Sequence, residues 1–495
     1  MNKKISIVGG GASGWLTALY IQNLYKGDAE ITLIESDEIG ILGAGEGSVP
    51  FTLDFLRRLN VDIDELIVKC NGTHKIGIIF ENWNGDGKNY IHDFFSGDVR
   101  KFFELPQDYT AYLIDKGLDV NDNFLSKRLA YANKAPINKK TNGELVSYSF
   151  HFDAHLLADY LRGIATDRGV SRIEGIVSDF KQTSSDDICE IILQDGKSIQ
   201  TDFVFDCSGF KRLIIGKLYN TPWISYKEKL TVNSALTFQL PQDIDNIKPY
   251  TNAIAMKYGW MWQIPLQNRW GCGYVFDDKY INEVEAKAEV EQYLGYTIES
   301  NRVIQFDAGR YNSVWVNNCI AVGLSAGFIE PLEATSIVMS AISLESLTRF
   351  DLDYKKYTKI GVYNVIIAEL TNNIMEFLQY HYFSKRNDTE FWIEMNNDNK
   401  VSKGLNKIMN ELHSNVTISN KIDSIFSLQN WFMVGHGLGI ITNETLIEKY
   451  KNHIDRSFLD NHYENEIIPK SKELFDDAYT ESEYLKKIKE KYNGI

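Results

Sequence analysis

Several signatures are missing from this 495-residue chain, and each absence removes a class of function. Cysteine is scarce: Cys70, Cys189, Cys207, Cys272 and Cys319 are widely spaced, odd in number and form no C-x-x-C pair. That pattern excludes a disulfide framework and a cysteine-based zinc site, and no metal site is expected. It suits buried small hydrophobes in a reducing compartment. Positive charge is in the minority, with 52 Lys and Arg against 67 Asp and Glu and a net charge of −15. Phosphate backbones call for a basic patch, so a nucleic-acid partner is not expected. No apolar run reaches bilayer-spanning length without a charge or turn residue. No secretory leader is visible, because Met1-Asn2-Lys3-Lys4 runs straight into Ile5-Ser6-Ile7-Val8, a buried-strand pattern. Internal repeats and low-complexity tracts are absent too. A soluble, cytoplasmic protein without a membrane partner is the expectation.

What is present is a large apolar and aromatic complement, 44% hydrophobic and 13% aromatic, ample for a packed core. The first residues read strand, helix, strand: Ile5–Val8, Trp15–Tyr25 and Ile31–Ile34, the arrangement of a parallel sheet. Residues 132–143 (ANKAPINKKTNG) are polar and turn-rich, and predict an exposed excursion. Residues 151–163 have helical periodicity. Cys189–Leu193 and Lys197–Ile199 predict two strand arms around an Asp195-Gly196 turn, and Asp202–Asp206 a further strand. Short alternating runs over 230–276 predict a separate antiparallel sheet. From about Ser336 onward helices dominate, and the charged tail from Glu481 predicts a solvated surface helix.

The most legible chemistry lies at Gly9-Gly10-Gly11-Ala12-Ser13-Gly14, a G-x-G-x-x-G at a strand–helix junction. Gly9 permits the tight turn, Gly11 lets backbone approach a pyrophosphate, and Gly14 lets the helix pack on the strand. The helix N-terminus then faces the phosphates. Glu35 ends the next strand about twenty residues on, where a carboxylate can take ribose hydroxyls. This pattern does not distinguish FAD from NAD. Two more strands run into glycine, at Asp206-Cys207-Ser208-Gly209 and at Asn318–Gly323, and three such junctions favour an extended FAD. No second G-x-G-x-x-G appears, which suits reducing equivalents that arrive from elsewhere.

Three further stretches are ambiguous by themselves. Trp260-Met261-Trp262 places two indoles on one face of a strand, as a rigid wall or as ordinary core. Lys75, in the apolar run before Ile76, Ile78, Ile79 and Phe80, is either on an exposed strand face or buried with a task. Pro331 in Glu330-Pro331-Leu332-Glu333-Ala334-Thr335-Ser336 marks a helix start whose free N–H groups could hold an anion.

Taken together the chain resembles the flavin-dependent tryptophan halogenases. The resemblance is carried, in order over roughly 5–440, by the glycine loop with Trp15, GEGSVP at 45–50 and the Lys75 segment. FHFDAHLLADYL at 150–161, DCSGF at 206–210, GWMWQIPL at 259–266 and GCGYVF at 271–276 continue it. AVGLSAGFIEPLEATSI at 321–337 and HYFSKRNDTEFW at 381–392 complete it.

The resemblance implies a Rossmann-like α/β FAD-binding domain of the flavin monooxygenase type. It would be interleaved with a substrate domain of antiparallel sheet and C-terminal helices. A "box" over 1–105, 145–225 and 300–365 and a "pyramid" over 106–144, 226–299 and 366–495 are the expected boundaries. The implied reaction uses reduced FAD supplied by a separate flavin reductase, O₂, and chloride, bromide or iodide. The resulting hypohalous acid reaches an electron-rich aromatic, of the indole or phenol type, through Lys75. By the same resemblance Glu333 is the second catalytic residue, and Gly10, Ala12, Ser13, Glu35, Gly47, Val177, Leu324 and Ile337 contact FAD. Thr335 and Ser336 hold halide, Trp260 and Trp262 separate substrate from flavin, and a homodimer is expected. Two departures stand out: Ala334 and Ser336 occupy positions where the family usually carries a serine and a glycine. A flavin monooxygenase would do without the indole pair and lysine, and an idle flavin-binding protein would need neither Lys75 nor Glu333. Halide-dependent product separates these alternatives.

Overall fold

The computed structural model describes residues 3–38, 45–94, 106–350, 352, 357–416, 418, 425–450 and 456–493. The chain divides into two compact units interleaved in sequence: Met1–Cys70, Phe152–Lys227 and Asp307–Asn372 in the first, Asn71–His151, Glu228–Phe306 and Asn373–Ile495 in the second.

The first unit is built on a six-stranded sheet. Its order is Trp315–Val316, Cys319–Ala321, Phe203–Asp206, Lys3–Val8, Ala29–Glu35 and Ser171–Glu174, all parallel except the first hairpin. The strands read as apolar runs because helices flank the sheet. The helix Ala12–Tyr25 has every residue from Gly14 to Ile21 buried, with Trp15 in its first turn. It packs against the helices Ala154–Asp167 and Thr335–Ser346. The first of these starts where the Asp153 carboxylate accepts the N–H groups of His155 and Leu156. The expected arms around Asp195-Gly196 form the strands Ile188–Leu193 and Ser198–Gln200, with Gly196 at φ +85°.

The second unit carries a seven-stranded sheet in the order Ser300–Gln305, Ser234–Pro241, Arg269–Phe276, Gly259–Pro265, Tyr250–Met256, Gly77–Glu81 and Asn89–Asp93. It is antiparallel apart from one parallel pair, Tyr250–Met256 with Gly77–Glu81. Strand alternation sorts its faces. Phe238, Ile254, Met261, Cys272 and Tyr274 form a core with Ala286 and Val290 of the helix Glu283–Leu294. That helix has a capping box at Asn282 and Glu285 and stops at Gly295, φ +78°. Trp260 and Trp262 lie on the opposite face.

Three expectations need adjusting. The strands Gly77–Glu81 and Asn89–Asp93 extend the second unit's sheet, so 71–94 groups with that unit by pairing and not by chain proximity to the glycine loop. The polar stretch 132–143 is not all excursion: Lys134–Asn138 is a largely buried strand that pairs with Ala478–Thr480. The tail helix Glu481–Asn493 does present a polar face outward, but Tyr484, Leu485 and Ile488 are buried and Glu481 at its start is fully buried. Among the described residues no helix is long and apolar enough to cross a membrane.

Candidate functional site

In the first unit the glycine loop is shaped by contacts that only glycine permits. Gly9 has φ +112°, and a Cβ there would meet the Cys207 carbonyl oxygen at 2.2 Å. At Gly10 a Cβ would fall 1.5 Å from Glu35 Oε2, and at Gly14 it would fall 1.9 Å from the Gly9 carbonyl. Gly11 is different. It is the N-cap of the helix Ala12–Tyr25, and a Cβ there would meet nothing within 4 Å. The helix end therefore opens onto room, with no acidic side chain in its first turn. This is the geometry a pyrophosphate needs.

The other two strand–glycine junctions converge on this loop. Asp206, fully buried, accepts from Ser208 N and Oγ through one oxygen and from Ile214 N and Ile215 N through the other. It fixes the turn through Cys207 and Ser208. Ser13 Oγ lies 2.9 Å from Ser340 Oγ, and a Cβ on Gly323 would meet Ser13 Oγ at 2.4 Å. Three carboxyl ends of parallel strands thus surround one helix N-terminus, where open α/β sheets bind ligands. The residues present fit a dinucleotide such as FAD.

Glu35 is more engaged than its spacing suggested. Its Oε1 accepts from Arg172 Nε at 2.5 Å and faces Arg162 Nη1 at 3.5 Å, while Oε2 accepts from Trp15 Nε1 at 3.3 Å. Arg172 also reaches Asp37 and Glu174. Sequence reading missed both arginines, since neither lies near the glycine motif in the chain.

The remaining expected flavin contacts scatter through this unit. Gly47 is buried in the short strand Glu46–Gly47, Val177 begins the strand Val177–Gln182, and Leu324 sits in the single turn Gly323–Ser325. Ile337 is buried in the helix Thr335–Ser346. That helix begins four residues after Pro331, not at it. Ala334 is its N-cap in a left-handed conformation, φ 55° and ψ 41°, following a turn closed by Ala334 N to Pro331 O. An alanine there carries strain that glycine would avoid. Thr335 and Ser336 are the first two helical residues, so their backbone N–H groups have no intrahelical acceptor. Glu333 is 2% exposed just before them.

In the second unit Lys75 is fully buried, on the short strand Thr73–Lys75. The strand pairs antiparallel with Ser149–Phe152, so Lys75 opposes Ser149 and Thr73 opposes His151, all on one face. Lys75 Nζ lies 5.6 Å from the Phe94 ring centroid. The bland reading of Lys75 as a surface lysine is excluded by its burial.

Both faces of that strand are tied down. On the Lys75 face, Thr73 Oγ1 donates to the Pro265 carbonyl at 2.8 Å, at the end of the strand that carries both indoles. It also lies 2.8 Å from His151 Nδ1, and His151 Nε2 lies 2.8 Å from Thr251 Oγ1. On the reverse face the fully buried Glu481 accepts from His74 N at 2.8 Å, and His74 Nδ1 is 3.0 Å from both its oxygens. Tyr148 and Tyr484 flank the His74 ring. The sequence held no signal for this clamp, because 407 positions separate the pair.

The indoles share a face with Thr251. Trp260 opposes Ala255 and Val275, and Trp262 opposes Ala253 and Gly273. A Cβ on Gly273 would overlap Trp262 at 2.2 Å, which explains the small residues on either side. The rings lie 6.1 Å apart and tilted by 54°. The same face presents His92, whose Nε2 is 3.0 Å from Asn430 Oδ1 and whose ring meets Phe377 edge-on. Phe377 also packs on Trp431 and His381. His381 Nδ1 lies 2.8 Å from the Phe377 carbonyl, which can only accept, so Nδ1 carries the proton. His92 and Asn430 had no recognisable motif, and His381 opens the HYFSKRNDTEFW stretch without being singled out there.

Comparison with known proteins places this geometry. The family model described as tryptophan halogenase matches residues 4–451. Tryptophan 7-halogenase RebH of Lentzea aerocolonigenes is 31% identical over 489 residues, covering 88% of this chain and 90% of its own. Tryptophan 6-halogenase SttH of Streptomyces toxytricini is 32% identical over 425 residues, covering 79% and 80%. A solved flavin-dependent halogenase from Xanthomonas campestris superposes with TM-score 0.86 at 28% identity, over 99% of this chain and 98% of that one. The match spans both units, from the glycine loop through the lysine strand to the C-terminal helices, and the chain belongs to the tryptophan halogenase family of flavin-dependent enzymes.

Proposed function

We propose that the protein halogenates an electron-rich aromatic of the indole or phenol type, with Lys75 holding the halogenating species beside the substrate. Reduced FAD, when bound, would activate O₂, the oxidant that converts halide to hypohalous acid with oxidised FAD and water as the other products. A separate flavin reductase delivers the reduced flavin. The observation that carries the reading is the full burial of Lys75 on a strand hydrogen-bonded to the end of the indole-bearing strand. A long side chain held there, lined by Phe94, can donate to a hypohalous oxygen or form a haloamine.

Glu333 would polarise the oxidant or take the ring proton, and its burial before the open end of a helix supports a charged partner nearby. The Thr335 and Ser336 N–H groups would hold the halide. Gly10, Ala12, Ser13, Glu35, Gly47, Val177, Leu324 and Ile337 would hold the flavin. Trp260 and Trp262 would keep substrate from it. Two of the proteins named above, RebH and SttH, are tryptophan halogenases, which supports an indole. We place a free indole or phenol before tryptophan, since 366–495 carries no recognisable clamp for an amino-acid end. The scattered cysteines suit the reducing cytoplasm.

The test supplies the protein with flavin reductase, NADH, FAD, bromide or chloride, and indole, phenol or tryptophan. Halide-dependent halogenated product is expected, and hydroxylated product formed without halide would overturn the reading. With catalase and a hypohalite scavenger present, Lys75→Ala is expected to lose roughly 100-fold or more in product rate. Wild-type rate and regiochemistry in that variant would remove Lys75 from the mechanism.

A further inference from the structure

The hydrogen bonds around Thr73 fix a proton on Nδ1 of His151. The Pro265 carbonyl has only lone pairs, so it takes the single hydroxyl proton of Thr73. Thr73 Oγ1 then has only acceptor capacity left toward His151 Nδ1, so Nδ1 carries a proton. On the other side Nε2 meets the Thr251 hydroxyl. His151 is fully buried, and burial first, then the charges of Lys75 and His74, hold its pKa well below the ordinary imidazole value. Nε2 is therefore bare, and Thr251 donates to it.

The result is one continuous set of bonds, from Thr251 through His151 and Thr73 to Pro265. Each end lies on a different strand of the indole-bearing sheet, and the middle is the antiparallel pair of Thr73–Lys75 with Ser149–Phe152. We propose that His151 is a positioning residue for Lys75, holding the lysine strand in register with the indole strand while adding no second cation to the face that Lys75 occupies. The inference rests on the proposed role of Lys75. His151 touches no reacting atom; it sets where the lysine points.

A neutral imidazole suits the position for a physical reason. Three strands must be joined at a fully buried point, and each needs a partner of opposite hydrogen-bonding sense. Imidazole with Nδ1–H donates on one side and accepts on the other across a rigid ring. Asparagine reproduces the Nδ1 donor with its amide nitrogen but not the Nε2 acceptor. Alanine reproduces neither.

The experiment compares wild type, Lys75→Ala, His151→Ala and His151→Asn in reductase-coupled reactions with bromide and indole. It measures halogenated indole together with free hypohalite caught by a scavenger. In His151→Ala the halogenated product is expected to fall at least tenfold while total oxidant (product plus scavenged hypohalite) stays within about twofold of wild type. In His151→Asn at least a third of the lost product should return. A merely structural histidine would lower product and oxidant together, and that outcome, or wild-type partition in His151→Ala, would overturn the proposal.

Should the alanine variant fail to fold, the wild type still decides. In protein carrying ¹⁵N-histidine, the resonances lost in His151→Asn should report a neutral Nδ1–H ring that does not titrate between about pH 5 and pH 9. An Nε2–H ring or a titrating one would overturn the proposal. Absence of halogenated product from the wild type would instead overturn the halogenase reading, and this inference with it.

Discussion

At the scale of single residues, a methyl group is enough to test the flavin loop. Gly10→Ala would place carbon 1.5 Å from Glu35 Oε2 and 2.6 Å from Glu35 Cβ, so the glutamate must leave its position against Arg172 and Trp15. The backbone of Gly10 itself is not strained, since its φ is not in the left-handed region. The variant should fold and bind FAD at least tenfold more weakly, about 1.4 kcal/mol, as read by quenching of flavin fluorescence. Unchanged affinity would mean that Glu35 does not contribute to the cofactor site. The spacing from Gly14 was enough to single out Glu35, because the acid must end the second strand of a βαβ unit. Its partners could not be read, since Arg172 arrives through parallel pairing of Ala29–Glu35 with Ser171–Glu174 and Arg162 from the helix Ala154–Asp167. Lys75 is the reverse case: its own neighbours in sequence left it ambiguous, and burial decided between surface and interior.

At the scale of elements, the last helix has become part of the lysine strand's support. Glu481 takes the backbone and ring N–H groups of His74 with no water access to either side chain. Removing one partner from a buried pair leaves the other unsatisfied. Glu481→Ala should therefore cost about 3–5 kcal/mol of unfolding free energy, measured by chemical denaturation. A loss below about 1 kcal/mol would show that the clamp is dispensable. A run of Glu and Lys with an apolar stripe gave every indication of a solvated helix, and for most of its length that is what forms. The pattern could not mark its first residue as buried, because the same glutamate type caps exposed helices. Likewise Lys134–Asn138 looked like loop because it lies within the polar, turn-rich stretch 132–143, and its strand forms through pairing with Ala478–Thr480. Non-local pairing is invisible to local propensity.

At the scale of the whole molecule, each unit has a distinct chemistry. The first gathers strand ends around a helix N-terminus, and the second buries a lysine on a strand hydrogen-bonded to the end of the indole-bearing strand. Ligand linkage separates them experimentally. FAD at about a hundredfold its dissociation constant should stabilise the unit that binds it by about 2.7 kcal/mol. In hydrogen exchange, protection should concentrate in the first unit, at residues 9–14 and 323–325. Protection confined to the second unit would place the flavin elsewhere.

The sequence by itself determined the dinucleotide loop, the family and the identity of Lys75, Glu333, Trp260 and Trp262 as residues to examine. Glycine spacing, strand–helix alternation and motif order are local properties, written in consecutive residues. Tertiary structure alone decided what surrounds them: Arg172 on Glu35, Gly273 and Ala253 beside Trp262, Glu481 on His74, and His151 between Thr73 and Thr251. The polar partners lie 78 to 407 positions apart, and only the pairing of distant strands and the closing of the last helix bring their atoms within hydrogen-bonding distance.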